Sequence, residues 1–231
     1  MLGPISAWSY SRLKKFETCK YQAYLAYVEK IPEPKSPAAL RGTQIHKDAE
    51  LFIKNEVPAL PPELTKFEHE LLRFRTLYQQ KLGTCEENWA FTIDWTITGW
   101  FDKNTWARVK VDFEGREIPN IAEIVDFKTG RKFGNEVAHA QQGQQYEIAT
   151  FLRYPNVETC KTRFLYIDQG PQHTTERLTT RDTALRVLPA LHQRALAMTS
   201  CVIFPPNPNK FNCKWCPYKP SKSGHCKVGV D

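Results

Sequence analysis

One ten-residue stretch constrains this chain more than any other: Ile121-Ala122-Glu123-Ile124-Val125-Asp126-Phe127-Lys128-Thr129-Gly130. It alternates like a strand and runs into a glycine turn. Side chains on a strand project to opposite faces in turn, so Asp126 and Lys128 share one face while Glu123, Val125 and Phe127 take the other. A carboxylate able to hold a divalent cation beside a fixed ammonium is a compact arrangement for cleaving phosphodiesters. The cation polarises the phosphate and acidifies a water; the lysine orients that water or offsets developing charge.

The segments around this strand change period along the chain. Leu13, Phe16, Tyr24, Leu25 and Val28 recur at near-helical spacing and predict a helix over 9–30, with Ser9 or Ser11 as its cap. Prolines 32, 34 and 37 break the pattern before a second helix expected over 39–55, and prolines 58, 61 and 62 before a third over 63–82, which Gly83 ends. Then Trp89, Phe91, Ile93, Trp95 and Ile97 alternate strictly, and Ala107, Val109, Val111 and Phe113 oppose Trp106, Arg108, Lys110 and Asp112, as strands do. A helix over 136–153, strands over 162–168 and 172–179, and a helix over 181–200 complete the order, with Pro189 expected to kink or interrupt the last. Helices, three strands, helix, two strands and helix make an α/β chain whose natural packing is a mixed sheet flanked by helices.

The 231 residues suffice for one substantial core, and a net charge of +7 suits a polyanionic partner. Met1-Leu2-Gly3-Pro4 leads into a polar, aromatic segment without the apolar region of a signal peptide, and no apolar run approaches the roughly 20 residues that span a bilayer. The seven cysteines, an odd number, then argue for reduced thiols and a cytoplasmic location rather than a disulfide framework.

Several residues could complete a site around Asp126. Asp112 lies 14 residues earlier, and adjacent antiparallel strands would bring both carboxylates to one edge of the sheet. Paired carboxylates with room for water suit Mg²⁺ or Mn²⁺, which prefer hard oxygen ligands. His46 and Glu50 are one turn apart on a helix face, and either could join a metal site; Gly42 permits a close backbone approach just upstream. Gln142 and Tyr146 share a face of the helix that follows, where they could hydrogen-bond a phosphate.

The C-terminal 30 residues are rich in Pro, Asn, Lys and Cys and have no clear period. Cys213 and Cys216 form a C-x-x-C with Cys226 ten residues on, so a tetrahedral metal site lacks one ligand. His225 or Cys19 could supply it. Zinc accepts either, whereas an iron–sulfur cluster prefers four thiolates. Cys85, Cys160 and Cys201 have no partners by spacing.

Taken together, these motifs resemble the RecB-type nucleases of the PD-(D/E)xK superfamily, including CRISPR-associated and phage-encoded members. Residues 9–19 are similar to their N-terminal helix motif, Arg41-Gly42-Thr43-Gln44-Ile45-His46 to their histidine motif, and residues 106–112 to their second motif. Val125-Asp126-Phe127-Lys128-Thr129-Gly130 resembles the central D-x-K-T-G, and Gln142 to Tyr146 the Q-x-x-x-Y. Five motifs in this order cover nearly the whole chain. Gly99-Trp100-Phe101-Asp102 also fits a G-x-x-D form of the second motif, but its acid lies 24 residues before Asp126, long for a short hairpin, so Asp112 is preferred.

The resemblance implies a restriction-endonuclease-like central mixed sheet flanked by helices. It implies one nuclease domain over 1–231, with a helical part at 1–85, a core at 86–200 and a cysteine-rich metal-cluster tail at 201–231. His46, Asp112, Asp126 and the Phe127 carbonyl would hold Mg²⁺ or Mn²⁺; Lys128 would be the catalytic lysine, with Gln142 and Tyr146 contacting DNA or positioning it. Some relatives bind a 4Fe–4S cluster through one N-terminal and three C-terminal cysteines, which implies Cys19, Cys213, Cys216 and Cys226 here. The last gap is longer than is usual in that group, which keeps zinc open. The expected activity is a metal-dependent deoxyribonuclease, an exonuclease on DNA ends or single strands in repair, recombination or phage DNA processing, with room for a helicase or recombinase partner. A non-cleaving DNA-binding scaffold and an endonuclease are the alternatives.

Overall fold

A computed structural model describes residues 2–231. Two compact units make up the chain: Ser36–Pro189, and Met1–Lys35 together with Ala190–Asp231.

The first of these units is built on a six-stranded sheet. Its strands are β1 (Gly83–Phe91), β2 (Ile97–Thr98), β3 (Ala107–Ile118), β4 (Ile121–Lys128), β5 (Thr159–Tyr166) and β6 (Thr175–Thr180), in the order β2-β1-β3-β4-β5-β6. All neighbours are antiparallel except β4 and β5, which run parallel from Ile121↔Thr159 to Lys128↔Tyr166. Parallel neighbours need a long crossover, supplied here by the helix Glu136–Arg153. The sheet is therefore mixed, as expected.

Helices of chain positions 37–53 and 68–79 cover one face. Ile45, Phe52, Leu71, Phe74 and Leu77 pack there against Phe113, Val125, Phe127 and Leu165, all buried. The Phe74 and Phe113 rings stack at 4.3 Å. Residues one step along each strand point to the opposite face, where Gly143 comes close enough to Phe164 that a Cβ would sit 3.4 Å from its ring. Asp126, which pairs with Phe164, lies on that second face.

In chain order the helices are α1 (Tyr10–Thr18), α2 (Lys20–Tyr27), α3 (Pro37–Ile53), α4 (Glu68–Gln79), α5 (Glu136–Arg153), α6 (Arg181–Thr199) and α7 (Lys210–Cys213). The helix expected over 9–30 is two helices, because Cys19 takes an extended conformation between them (φ −157°). Pro37 does not separate helices but occupies the first turn of α3, where its missing N–H costs nothing, and the Ser36 hydroxyl caps the Ala39 N–H at 3.1 Å. Residues Pro62–Phe67 form a 3-10 segment ahead of α4. The helical assignment of α6 runs on past Pro189 rather than breaking there.

The alternation expected to carry one strand through Ile97 ends at Phe91. Thr92 and Thr96 close a turn that Asp94 supports through the Thr96 hydroxyl at 3.1 Å, and Trp95 adopts φ 66°. Trp95 packs edge-on against the buried Trp106, 5.5 Å between centroids, so its apolar character serves a turn.

In the other unit, the C-terminal segment is tied to the N-terminal residues by Tyr218, whose hydroxyl donates to the Ile31 carbonyl at 2.9 Å. Tyr218, Leu25 and Cys226 are buried together, with Tyr21 and Tyr24 packed against them.

Candidate active site

The backbone register places the two aspartates. The antiparallel pairs Phe113↔Val125 and Glu114↔Ile124 set Asp112 opposite Asp126, yet among the described residues the β3–β4 ladder goes no further than Phe113↔Val125. Past that point the Phe127 N–H donates to Asp112 Oδ2 at 2.7 Å. A side chain thus takes the place of a strand carbonyl, and the two strands part around a pair of buried carboxylates. Asp112 was expected to end its strand at a sheet edge; instead β3 continues to Ile118, and Asp112 lies mid-strand between two central strands. The reason is the register, which carries β3 alongside both β1 and β4.

Two further ligand-type side chains reach Asp112. His46 Nδ1, from α3, lies 3.2 Å from Asp112 Oδ1. Glu86 comes from β1: the pairs Cys85↔Phe113 and Glu87↔Val111 put it across from Asp112, but its φ of 56° interrupts the ladder there. A non-glycine residue with positive φ is uncommon and costs local energy, here at a site-lining position. Ligand atoms of His46, Glu86 and Asp112 all fall within 4.8 Å of one another. His46 and Glu86 open on a cleft of about 410 Å³ that Gly42, Lys47, Lys110 and Thr129 also line. Gly42 lets α3 come close to the turn after Lys128: a Cβ there would stand 3.0 Å from the Thr129 hydroxyl, a tight contact that the threonine side chain would have to yield to.

Asp126 belongs to a second network. Its Oδ1 accepts from the Tyr146 hydroxyl at 2.5 Å and from Gln142 Nε2 at 3.1 Å. Gln142 Nε2 also donates to the Tyr146 oxygen at 2.7 Å, and Gln142 Oε1 accepts from Lys128 Nζ at 2.9 Å. Lys128 Nζ lies 2.6 Å from Asp126 Oδ2, an ion pair off the direction of a hydrogen bond, so Oδ2 is buried without an aligned donor. The four residues expected around the D-x-K are therefore in mutual contact, with Gln142 as the hinge between lysine and aspartate.

The electrostatics follow from burial and like charge. Burial, then repulsion by Asp126, raises the Asp112 carboxyl above the usual range, against the pull of His46 and the Phe127 N–H. Burial opposes charge on His46, but the Asp112 hydrogen bond and the fields of Asp112, Asp126 and Glu86 outweigh it and raise its pKa. Burial and the neighbouring aspartates push the Tyr146 hydroxyl well above its ordinary value, so it stays a donor. This is concentrated negative charge beside an imidazole, with one buried carboxylate oxygen that meets only the Lys128 ammonium, a donor set that fits a hard divalent cation.

Other candidates fall elsewhere. Glu50 lines the cleft, but its carboxylate is held by Lys47 at 3.1 Å and Lys54 at 2.6 Å. Asp102 is exposed and caps its own turn, accepting from the Thr98 hydroxyl and the Gly99 N–H. Glu86 escaped sequence reading altogether. The run Glu86-Glu87-Asn88 shows no alternation that would mark it. In the other unit, Cys19, Cys213, Cys216 and Cys226 line one cavity, and the Asn207 N–H donates to Cys19 Sγ at 3.4 Å. Burial raises the Cys216 and Cys226 thiols, and the neighbouring Cys19 and Cys213 add to both. His225 is exposed and bonded to the Ser223 hydroxyl.

The family model of the PD-(D/E)XK nuclease superfamily matches residues 7–91 and 90–221. The chain belongs to this superfamily. A crystal structure of a Eubacterium rectale protein named as a candidate exonuclease is similar over 93% of this chain and 88% of its own, at 16% identity and a TM-score of 0.51, which shows the PD-(D/E)XK fold. Two more distant structures are the protein SSO0001, at 13% identity over 98% and 88% with a TM-score of 0.48, and a phage-related exonuclease from Haemophilus somnus 129PT, at 13% over 83% and 92% with a TM-score of 0.30. No curated protein matches the chain significantly. No helix among the described residues of this PD-(D/E)XK nuclease is long and apolar enough to cross a membrane.

Proposed function

We propose that this nuclease is a divalent-cation-dependent deoxyribonuclease that acts as an exonuclease on DNA ends or single strands. The observation that carries the proposal is the junction of two networks across the parted strands: His46, Glu86 and Asp112 on one side, Asp126 and the Gln142-held Lys128 on the other. His46, Asp112, Asp126 and the Phe127 carbonyl, with Glu86 added, are the residues that would hold Mg²⁺ or Mn²⁺. A cation bound there supplies Lewis-acid polarisation of the phosphate and acidifies the attacking water.

The chain's own residues do the rest. Tyr146 keeps its proton and pins Asp126 Oδ1, which leaves Oδ2 turned to Lys128. Gln142 fixes the Lys128 ammonium, where it can orient a water or offset charge developing on phosphate oxygens. The net charge of +7 favours a polyanionic strand. In the other unit, Cys19, Cys213, Cys216 and Cys226 are proposed to hold a 4Fe–4S cluster, since all four thiols share one cavity and His225 is engaged elsewhere. Zinc is the competing occupant; visible absorption near about 400 nm in anaerobically purified protein distinguishes cluster from zinc.

The activity is tested with end-labelled linear and circular DNA in Mg²⁺ and Mn²⁺. Nucleotide-sized products from the labelled strand, an uncut circle, and loss of cleavage in a folded Asp126→Ala variant are expected. Cleavage undiminished in that variant refutes the site; discrete fragments from the circle refute the exonuclease mode.

A further inference from the structure

The cysteine-bearing C-terminal segment displays two large aromatic side chains that no packing explains. Phe211 is 91% exposed and Trp215 is 84% exposed, while Cys213 between them is buried. They lie four residues apart, Phe211 in α7 and Trp215 just beyond Lys214, whose backbone is still helical, so about one helical turn separates them. The other tryptophans are partly or wholly buried, with Trp8, Trp89 and Trp106 at no more than 1% exposure.

The surrounding charge has one sign. From Val202 to Val230 the chain has five lysines, at 210, 214, 219, 222 and 227, and no acidic residue. Lys210, Lys214, Lys222 and Lys227 are exposed, and Lys214 Nζ lies 5.4 Å from the Trp215 ring centre. Among the described residues, Lys219 alone of the five meets an acid, Asp231, at 3.7 Å. Exposed aromatic faces interleaved with free ammonium groups are the two components of sequence-tolerant single-strand binding: every base has a face that stacks, and every nucleotide has a phosphate. A protein partner of ordinary composition does not call for so uniform a charge, and a duplex keeps its base faces inside the stack.

We infer that Phe211 and Trp215 stack on unpaired bases of single-stranded DNA while Lys210, Lys214 and Lys222 contact its phosphates, which makes this segment a strand-gripping surface as well as the proposed cluster's cradle. The inference rests on the DNA reading of the nuclease and names single-stranded DNA as what the tail engages.

The test uses the full chain, without added divalent cation, titrated with a short oligothymidylate and read by tryptophan fluorescence. The oligonucleotide quenches the exposed-tryptophan emission; Trp215→Phe loses the quench yet binds within about threefold when read by anisotropy of a labelled strand, because phenylalanine still stacks. The Phe211→Ala, Trp215→Ala double variant raises Kd by about tenfold or more. Lys214→Ala with Lys222→Ala flattens the slope of log K against log salt by about 1.4, at about 0.7 per phosphate contact. Unaltered visible absorption and melting temperature show that these variants fold. Unchanged oligothymidylate affinity in the folded double-alanine variant overturns the inference and leaves the aromatics to a protein partner; equal affinity for a duplex of the same length overturns the stacking mode. Cleavage by the wild type with no quench sinks the tail inference alone, whereas a quench without cleavage sinks the nuclease reading alone.

Discussion

Asp112 accepts the Phe127 backbone N–H through Oδ2 and faces His46 through Oδ1, so one carboxylate serves the sheet and the site together. The two duties separate by substitution. Asp112→Asn keeps an oxygen for the Phe127 N–H and removes a charge that Asp126 repels, so its melting temperature without divalent cation should equal or exceed the wild type's. Cleavage should nonetheless fall by about 10²-fold or more, as for other losses of preorganised charge at a reacting phosphate. Asp112→Ala orphans the N–H as well, and should lose about 1–3 kcal/mol of stability. Denaturant melts of both variants beside cleavage rates check this, and equal destabilisation by the two would contradict it.

Glu86 predicts a cation response. Its carboxylate pairs with the Lys110 ammonium, a solvent-side partner with which a bound cation would compete. Saturating Mn²⁺ at about a hundred times Kd should stabilise the wild type by about 2.7 kcal/mol. Glu86→Gln should weaken that gain several-fold, while Glu50→Gln, whose carboxylate is committed to Lys47 and Lys54, should leave it intact. Differential scanning fluorimetry across a Mn²⁺ series reads both.

Because Gln142 Oε1 accepts from Lys128 Nζ, its proposed role is to position the lysine. Gln142→Ala frees the ammonium from its Oε1 anchor and strips one donor from Asp126, so the cleavage rate should drop about 10–100-fold, in line with small misplacements of reacting groups. Lys128→Ala should lose more, and the double variant little beyond Lys128→Ala. Fully additive losses in single-turnover rates would place Gln142 outside the lysine's action.

Away from the site, Arg163 predicts acid sensitivity. Its guanidinium grips Glu70 at 2.6 and 3.0 Å and Glu123 at 3.0 Å, while Arg73 reaches Glu123 at 2.6 Å and Glu176 stands 3.4 Å from Arg163 Nε. The Arg163 hydrogen bond, opposed by burial, holds the Glu70 carboxyl below its usual range. A depressed carboxyl contributes stability above its unfolded pKa, near about 4.3, and loses it as pH falls through the folded value. Melting temperature should therefore drop more steeply in acid for the wild type than for Glu70→Gln, the two converging at the lowest pH. Parallel curves would remove Glu70 from the acid response.

Much of this was legible in the chain itself, and the failures have physical causes. The strand Ile121–Lys128 and the helix Glu136–Arg153 stand where alternation and helical spacing put them; the strand is buried from Ala122 to Phe127, and the helix buries Tyr146, Ile148, Ala149 and Phe151. Period 2 also put Asp126 and Lys128 on one face, and their ion pair bears that geometry out. Trp95 misled because an apolar side chain can pack from a turn as well as from a strand. Glu86 was invisible because its place depends on a positive φ and on a partner strand more than 20 residues away, neither of which leaves a local pattern. Cys19 was expected inside a helix; the extended conformation that interrupts the helix there belongs to the tertiary fold.

The parted strands have a mechanical consequence. Opening a gap in an intact sheet would sacrifice backbone hydrogen bonds, but between β3 and β4 the seam is already unstitched beyond Phe113↔Val125, and the Asp112 carboxylate holds it in place of a peptide carbonyl. Widening the sheet at this seam would therefore cost fewer backbone hydrogen bonds than between β4 and β5, which stay paired as far as Lys128. Compliance is confined to one side of the lysine strand, and the lysine itself rides on the side that does not give.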